Sequence, residues 1–339
     1  MRGDRPSQVY STCLEERDVI FGAEEGLREA IEELDRTGTF DLIAVLSCCA
    51  SSIIGEDVEG AVGASRTEAR VIGIAAGGFE GDFRQGQSET LRCLVDTLVT
   101  PAEVSSPRSV NLLGVLRSGP DLKELISILK SMGVTVLTVL PAGASLQQIQ
   151  NMGSAALNIV LCESSGKGAA ECLQEKCGIP FLITDLPIGR EATAKFSRTV
   201  AAALEIATGN ELQEIPSLPV LPRKRIAIIG GPTRAIAMTA FLKELGIEPA
   251  LIVLDFDTGT EMRLREMAGC EILVEPDQNL VIQKLREKQV DLIMGGMLER
   301  SIAAMLDIEH FDMMHGSQKT VGSEGMKILL QVLKGTRQR

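Results

Sequence analysis

At 339 residues the chain exceeds what one ordinary hydrophobic core organises, so two or three domains are expected. Its 45% hydrophobic and 24% charged composition is that of a globular protein, and a net charge of −12 excludes the concentrated basic face that nucleic-acid binding needs. With no Trp and one Tyr, aromatics at 3% argue against a base-stacking platform, and no apolar run reaches the roughly 18 residues of a membrane helix. Eight cysteines behind the polar opening Met1-Arg2-Gly3-Asp4 point to reduced thiols in the cytoplasm, not to a secreted disulfide framework.

Residues 1–108 read as one incomplete α/β unit. Leu27, Ile31 and Leu34 have helical spacing within 24–34, Leu42 to Leu46 is a short apolar strand, 57–64 is helical, Arg70 to Ala75 is a second strand and 88–99 a helix. The first strand runs into Ser47-Cys48-Cys49, and Gly55-Glu56-Asp57 opens the next helical pattern, which is how a buried parallel strand delivers its end to a helix. Residues 101–107, between two prolines, form a linker.

The second unit, 109–218, alternates more regularly. Strands are expected at 111–116, 134–140, 157–162 and 181–184, with helices at 122–132, 145–152 (capped by Ser145), 168–176 and 193–208. A three-proline linker, 215–223, leads to the third unit, 222–339, with strands at 225–229, 250–254, 271–274 and 291–294. Gly230-Gly231-Pro232-Thr233 lacks the G-x-G-x-x-G pattern and reads as a plain strand–helix turn. This repeated alternation implies an α/β protein of three Rossmann-like parallel-sheet units, the first incomplete, with ligands at strand C-terminal ends.

Adjacent cysteines at the end of an extended strand point to opposite sides, so only one of Cys48 and Cys49 faces a given site. Both are either small buried hydrophobes or one is a thiol activated by the following helix. Cys162 ends a strand and is either a buried thiol or a cleft-facing soft ligand or proton donor; Cys172 and Cys177 read as structural. His310 and His315 are the only imidazoles for neutral-pH proton transfer, and Gln318 and Lys319 nearby offer contacts to amide or carboxylate groups.

Ser47-x-Cys49-Ala50-x-x-Ile53-Ile54-Gly55-Glu56-Asp57, preceded by the run from Ser11 to Gly22, resembles the interface-cluster segment of component-1 proteins of the nitrogenase superfamily. Leu157-Asn158-Ile159-Val160-x-Cys162 resembles the segment whose cysteine holds the metal cofactor there, and His315 stands before a Gly322-x-x-Gly325 turn where the family places a cofactor-adjacent histidine. The resemblance spans nearly the whole chain. Cys13 stands where relatives usually have Asp, and the family's opening His-Gly-Pro-x-Gly-Cys turn lies upstream of this chain's first residue.

The resemblance implies a homodimer with a 4Fe–4S cluster, metal ligand Cys49, at the interface. It also implies an ATP-hydrolysing iron–sulfur reductase docking over Ile54, Gly55, Glu56 and Asp57. Their places near strand ends make Cys162 and His315 the candidate catalytic groups, as proton donors or substrate contacts, and side-chain chemistry makes Gln318 and Lys319 candidates for binding substrate. The register of the motif selects Cys49 and leaves Cys48 a packing role. The Cys49 and His315 motifs look closest to the branch that performs the reductive cyclisation of nickel-sirohydrochlorin a,c-diamide in coenzyme F430 synthesis, which implies a tetrapyrrole substrate. A nitrogenase cofactor-assembly scaffold, or a non-catalytic binding homologue, is the alternative.

Overall fold

A computed structural model describes residues 8–79, 81–207, 221–315 and 318–335. Among the described residues there are three sheets, each formed where a short apolar run alternates with a helix of one apolar face. In order the elements begin with α1 (Glu16–Phe21), α2 (Glu24–Thr37), β1 (Leu42–Leu46), α3 (Cys49–Ile54), α4 (Val58–Ala64), β2 (Arg70–Ile74) and α5 (Phe83–Leu98). Next come β3 (Ser109–Val115), α6 (Pro120–Ser131), β4 (Thr135–Pro141), α7 (Leu146–Gln150), β5 (Leu157–Val160), α8 (Glu163–Cys177), β6 (Phe181–Ile183) and α9 (Arg190–Ala203). The last group is β7 (Ile226–Gly230), α10 (Pro232–Glu244), β8 (Leu251–Leu254), α11 (Thr260–Met267), β9 (Glu271–Val274), α12 (Gln278–Glu287), β10 (Leu292–Gly295), α13 (Met297–Leu306), β11 (Glu309–Asp312) and α14 (Gly322–Leu333).

β1 and β2 pair in parallel as a two-stranded sheet; the second sheet has the order β4-β3-β5-β6 and the third β11-β10-β7-β8-β9. β3 pairs with β5 in parallel, and so do all neighbours in the third sheet. Packing divides the chain into two compact units, one of Met1–Gly114 with Leu137–Phe181, the other of Val115–Val136 with Leu182–Arg339.

In the first unit Leu91, Val95 and Leu98 of α5 meet Ala169, Ala170 and Leu173 of α8 over Leu113 and Val160. The alanines let the two helices approach closely, and each enclosed leucine contributes about 2 kcal/mol. Asn111 and Asn158, cross-strand partners, join inside this sheet through Asn111 Nδ2 donating to Asn158 Oδ1 at 2.9 Å. In the second unit Ala227, Ile229, Leu251, Val253 and Ile293 form the sheet side of a core closed by Val281 and Leu285 of α12 and Ile302 of α13.

Several expected boundaries move. α5 begins at Phe83 because Asp82 caps it, accepting from the backbone N–H of Arg84 and Gln85, and α8 begins five residues earlier than its apolar spacing shows. A short helix, α3, occupies the stretch read as extended, and neither Cys48 nor Cys49 is buried; both are exposed. The three-proline linker lies outside the described residues up to residue 220, as do Met1 to Asp4, Thr208 and Gly316.

Candidate functional site

Cys48 is the N-cap of α3 and Cys49 its first residue. Cys48 has extended backbone angles (φ −105°, ψ 174°) while Cys49 is already helical, so the strand alternation expected to send the two side chains apart does not govern them. The Cys48 backbone N–H donates to Ser51 Oγ at 2.8 Å, and the Ser51 backbone N–H, foremost, holds the Cys48 thiol below its ordinary range. The Cys49 sulfur accepts from the backbone N–H of Gly78 at 3.4 Å, in a loop where a Cβ on Gly78 would sit 3.3 Å from that sulfur.

Of the residues expected to dock a reductase, Gly55 is the left-handed C-cap of α3 (φ 72°), Ile54 is half-buried and Asp57 caps α4 by accepting from Gly60 N–H at 2.8 Å. Glu56 accepts from the Ala23 backbone N–H at the start of α2. Both carboxylates therefore hold helix N-termini.

Within the second sheet β4 and β5 lie on opposite sides of β3, which makes the C-terminal ends of β3 and β5 its topological switch point. Cys162 stands there, half-buried, as N-cap of α8, with Sγ 3.2 Å from Ser164 Oγ. The neighbouring backbone is stripped of side chains: Gly114 (φ 76°) would place a Cβ 2.7 Å from the Cys162 carbonyl, and Gly166 one 2.8 Å from the Gly114 nitrogen. Burial pushes the Cys172 and Cys177 thiols up, as suits inert packing residues.

In the third sheet β8 and β10 flank β7, so the switch point lies at Gly230 and at Gly295-Gly296. His315 reaches this place: its Cε1 would lie 3.0 Å from a Cβ on Gly296. Its Nδ1 and backbone N–H both meet Asp312 Oδ1 at 3.0 Å. Burial opposes charge on Asp312, yet the backbone N–H groups of Met314 and His315 and the imidazole together hold that carboxyl below the usual range. Asp312 therefore orients the ring and leaves Nε2 as the nitrogen for a ligand. His310, by contrast, is committed by Nε2 to the Gly296 carbonyl at 2.8 Å.

Gln318 is exposed and lines an open cleft of about 720 Å³ with Arg300, His310, Phe311 and Asp312. Lys319 is paired with Glu124 at 3.0 Å, so its ammonium is already neutralised. Sequence reasoning missed Asp312, Glu299, whose carboxylate accepts from Gly296 N–H at 2.6 Å, and Asp121. The first two carry a local signal, a carboxylate three residues from the group it serves; Asp121 carries none. Among the described residues no three His, Cys, Asp or Glu side chains converge as a metal shell, and no helix is long and apolar enough to cross a membrane.

An α/β protein with repeated parallel sheets and chemistry-bearing residues at two switch points is a class shared by many enzymes. The chain belongs to the nitrogenase component 1 type oxidoreductase family, whose model matches residues 1–336. It is 26% identical over 328 residues to the nitrogenase iron-molybdenum cofactor biosynthesis protein NifE of Clostridium pasteurianum, covering 90% of this chain and 71% of that one. It is 28% identical to a light-independent protochlorophyllide reductase component of Rubrivivax gelatinosus, covering 90% of this chain and 61% of the relative. The solved structure "Nitrogenase Cp1 at pH 6.5" superposes with a TM-score of 0.82 at 20% identity, covering 97% of this chain and 82% of that one, which establishes the fold.

Proposed function

We propose that the chain works as a symmetric pair, carries an iron–sulfur centre at Cys49, and serves as a scaffold on which a metal cofactor is held during its assembly. The observation that carries this reading is Cys162: a half-buried thiol at a switch point, N-cap of α8, with Sγ 3.2 Å from Ser164 Oγ. A soft thiolate suits an iron–sulfur cargo. Similarity to proteins named for iron-molybdenum cofactor biosynthesis supports assembly over turnover. An iron–sulfur centre supplies one-electron transfer when bound, and its electrons would come from a separate ATP-hydrolysing iron–sulfur reductase that docks over Ile54 to Asp57.

A second reading is a reductase of tetrapyrroles, favoured by similarity to protochlorophyllide reductase components; its finer form is the reductive cyclisation of nickel-sirohydrochlorin a,c-diamide for coenzyme F430. Cys162 and His315 would then donate the protons that accompany electrons, and Lys319 would exchange Glu124 for a substrate carboxylate. Iron and sulfide analysis after anaerobic loading separates the two. A scaffold holds iron beyond the Cys49 centre, and Cys162→Ala removes that excess while Cys49→Ala removes the remainder. If Cys162→Ala leaves iron unchanged, and a sirohydrochlorin-type macrocycle binds the wild type but not the His315→Ala variant, the reductase reading replaces the scaffold.

A further inference from the structure

We propose that the outer edge of β11 is a docking site for an extended segment of a partner polypeptide, which adds to the five-stranded third sheet as a further strand and sets a carboxylate against Arg300 in the cleft beside it.

β11 ends the third sheet, with β10 as its only neighbour among the described residues. In their parallel pairing the backbone N–H of Glu309 donates to the Asp291 carbonyl at 3.2 Å and that of Met313 to the Gly295 carbonyl at 2.9 Å. Backbone groups alternate in direction along a strand, so the N–H and C=O of His310 and Asp312 point away from β10. Such a row is a template for one more strand. Different helices close the two faces of this edge. His310 turns to the start of α13, where its Nε2 meets the Gly296 carbonyl, while Glu309 turns the other way to Lys224, whose Nζ also reaches the Val332 carbonyl of α14. The cleft of about 720 Å³ is the space between these helices along β11, walled by Met297 and Ala304 of α13, Ile328 and Val332 of α14, and Phe311.

Shape and charge select the occupant. With a helix on each face, the strand edge lies at the floor of a recess; a second copy would bring its own two helices into that space, and a lone extended segment does not. Within the cleft Glu309 is paired with Lys224 at 2.6 Å and Asp312 with His315 at 3.0 Å. Arg300, exposed on α13, has no carboxylate partner among the described residues, so it favours an acidic side chain on the incoming strand. Met297 and, further along α13, Met305 are 61% and 58% exposed, adaptable thioethers of the kind that cover a bound peptide.

The test uses the full chain and a fluorescent probe peptide, Val-Ala-Val-Glu-Val-Ala, blocked at both ends. Anisotropy gives its affinity, and hydrogen exchange is read residue by residue over 309–313. The probe should bind with a Kd of about 0.1 mM or tighter and slow exchange of the His310 and Asp312 amides. N-methylating alternate amides should abolish binding in one register, whose N–H groups face β11, and leave it in the other. Arg300→Glu should weaken binding about tenfold, and a probe with Lys in place of Glu should recover the loss in that variant. Ala304→Trp, which fills the cleft from an exposed position, should abolish binding with unchanged circular dichroism. Equal binding of the two N-methylated probes, or none at millimolar probe, would overturn the inference. So would slow exchange of the His310 and Asp312 amides without probe: at every protein concentration it would place a segment of this same chain on the edge, and only where sedimentation shows self-association, a second copy.

Discussion

Asp121 gathers more of the second unit than any motif predicts. Its carboxylate accepts from the backbone N–H of Thr320 at 2.6 Å and of Val321 at 3.1 Å, from Thr320 Oγ1 at 2.8 Å, and from Arg234 Nη2 at 2.6 Å. It thereby ties α6 to the start of α10 and to the segment entering α14. Burial works against the charge, but the Arg234 guanidinium and the Thr320 N–H outweigh it and hold the carboxyl below the usual range. Asp121→Asn leaves the Arg234 cation, whose side chain is 18% exposed, without its counter-charge, and should cost about 3 kcal/mol in denaturant unfolding. Because the folded pKa is depressed, this stabilisation is complete above about pH 4 and is lost as pH falls through the folded value. The variant should accordingly show a shallower acid limb than the wild type when unfolding free energy is followed against pH.

At the scale of elements, the turn into α14 shows how a loop bearing candidate ligands is held. A Cβ on Gly325 would overlap the Thr320 carbonyl carbon and oxygen, which are backbone and cannot swing aside. Gly325→Ala should therefore cost about 1–3 kcal/mol or more in thermal unfolding by forcing the Lys319–Val321 segment outward. Gly178, the left-handed C-cap of α8 (φ 69°), makes the control: nothing lies within 4 Å of its added Cβ, so Gly178→Ala carries only the backbone cost of about 1 kcal/mol. Equal losses for the two variants would show that the close approach at Gly325 does not hold this turn.

For the whole molecule the expectation concerns mass action. If a cluster joins two copies, the loaded state is stabilised by association, and its thermal midpoint should rise with protein concentration while that of the iron-free chain stays flat. Differential scanning fluorimetry over a hundredfold range of concentration reads this directly; a flat midpoint in the loaded protein would argue against a shared cluster.

Much of the fold was determined by the sequence alone, because its signals are local. β1 and β9 fall where their apolar runs place them, Ser145 caps α7, and Asp57 caps α4. β11 escaped notice since Glu309-His310-Phe311-Asp312 has no apolar run; as an edge strand it needs only one buried side chain, Phe311. The family motifs likewise single out Cys49, Cys162 and His315 from the chain alone, since spacing along it is all they require. Strand order belongs to tertiary structure: only the placement of β5 beside β3, and of β10 beside β7, turns Cys162 and His315 into switch-point residues. So do the partners of those groups. Asp121 reaches Thr320 across 199 residues, and the exposure of Cys48 depends on a short helix replacing the expected extended chain; both depend on contacts that no periodicity along the sequence encodes.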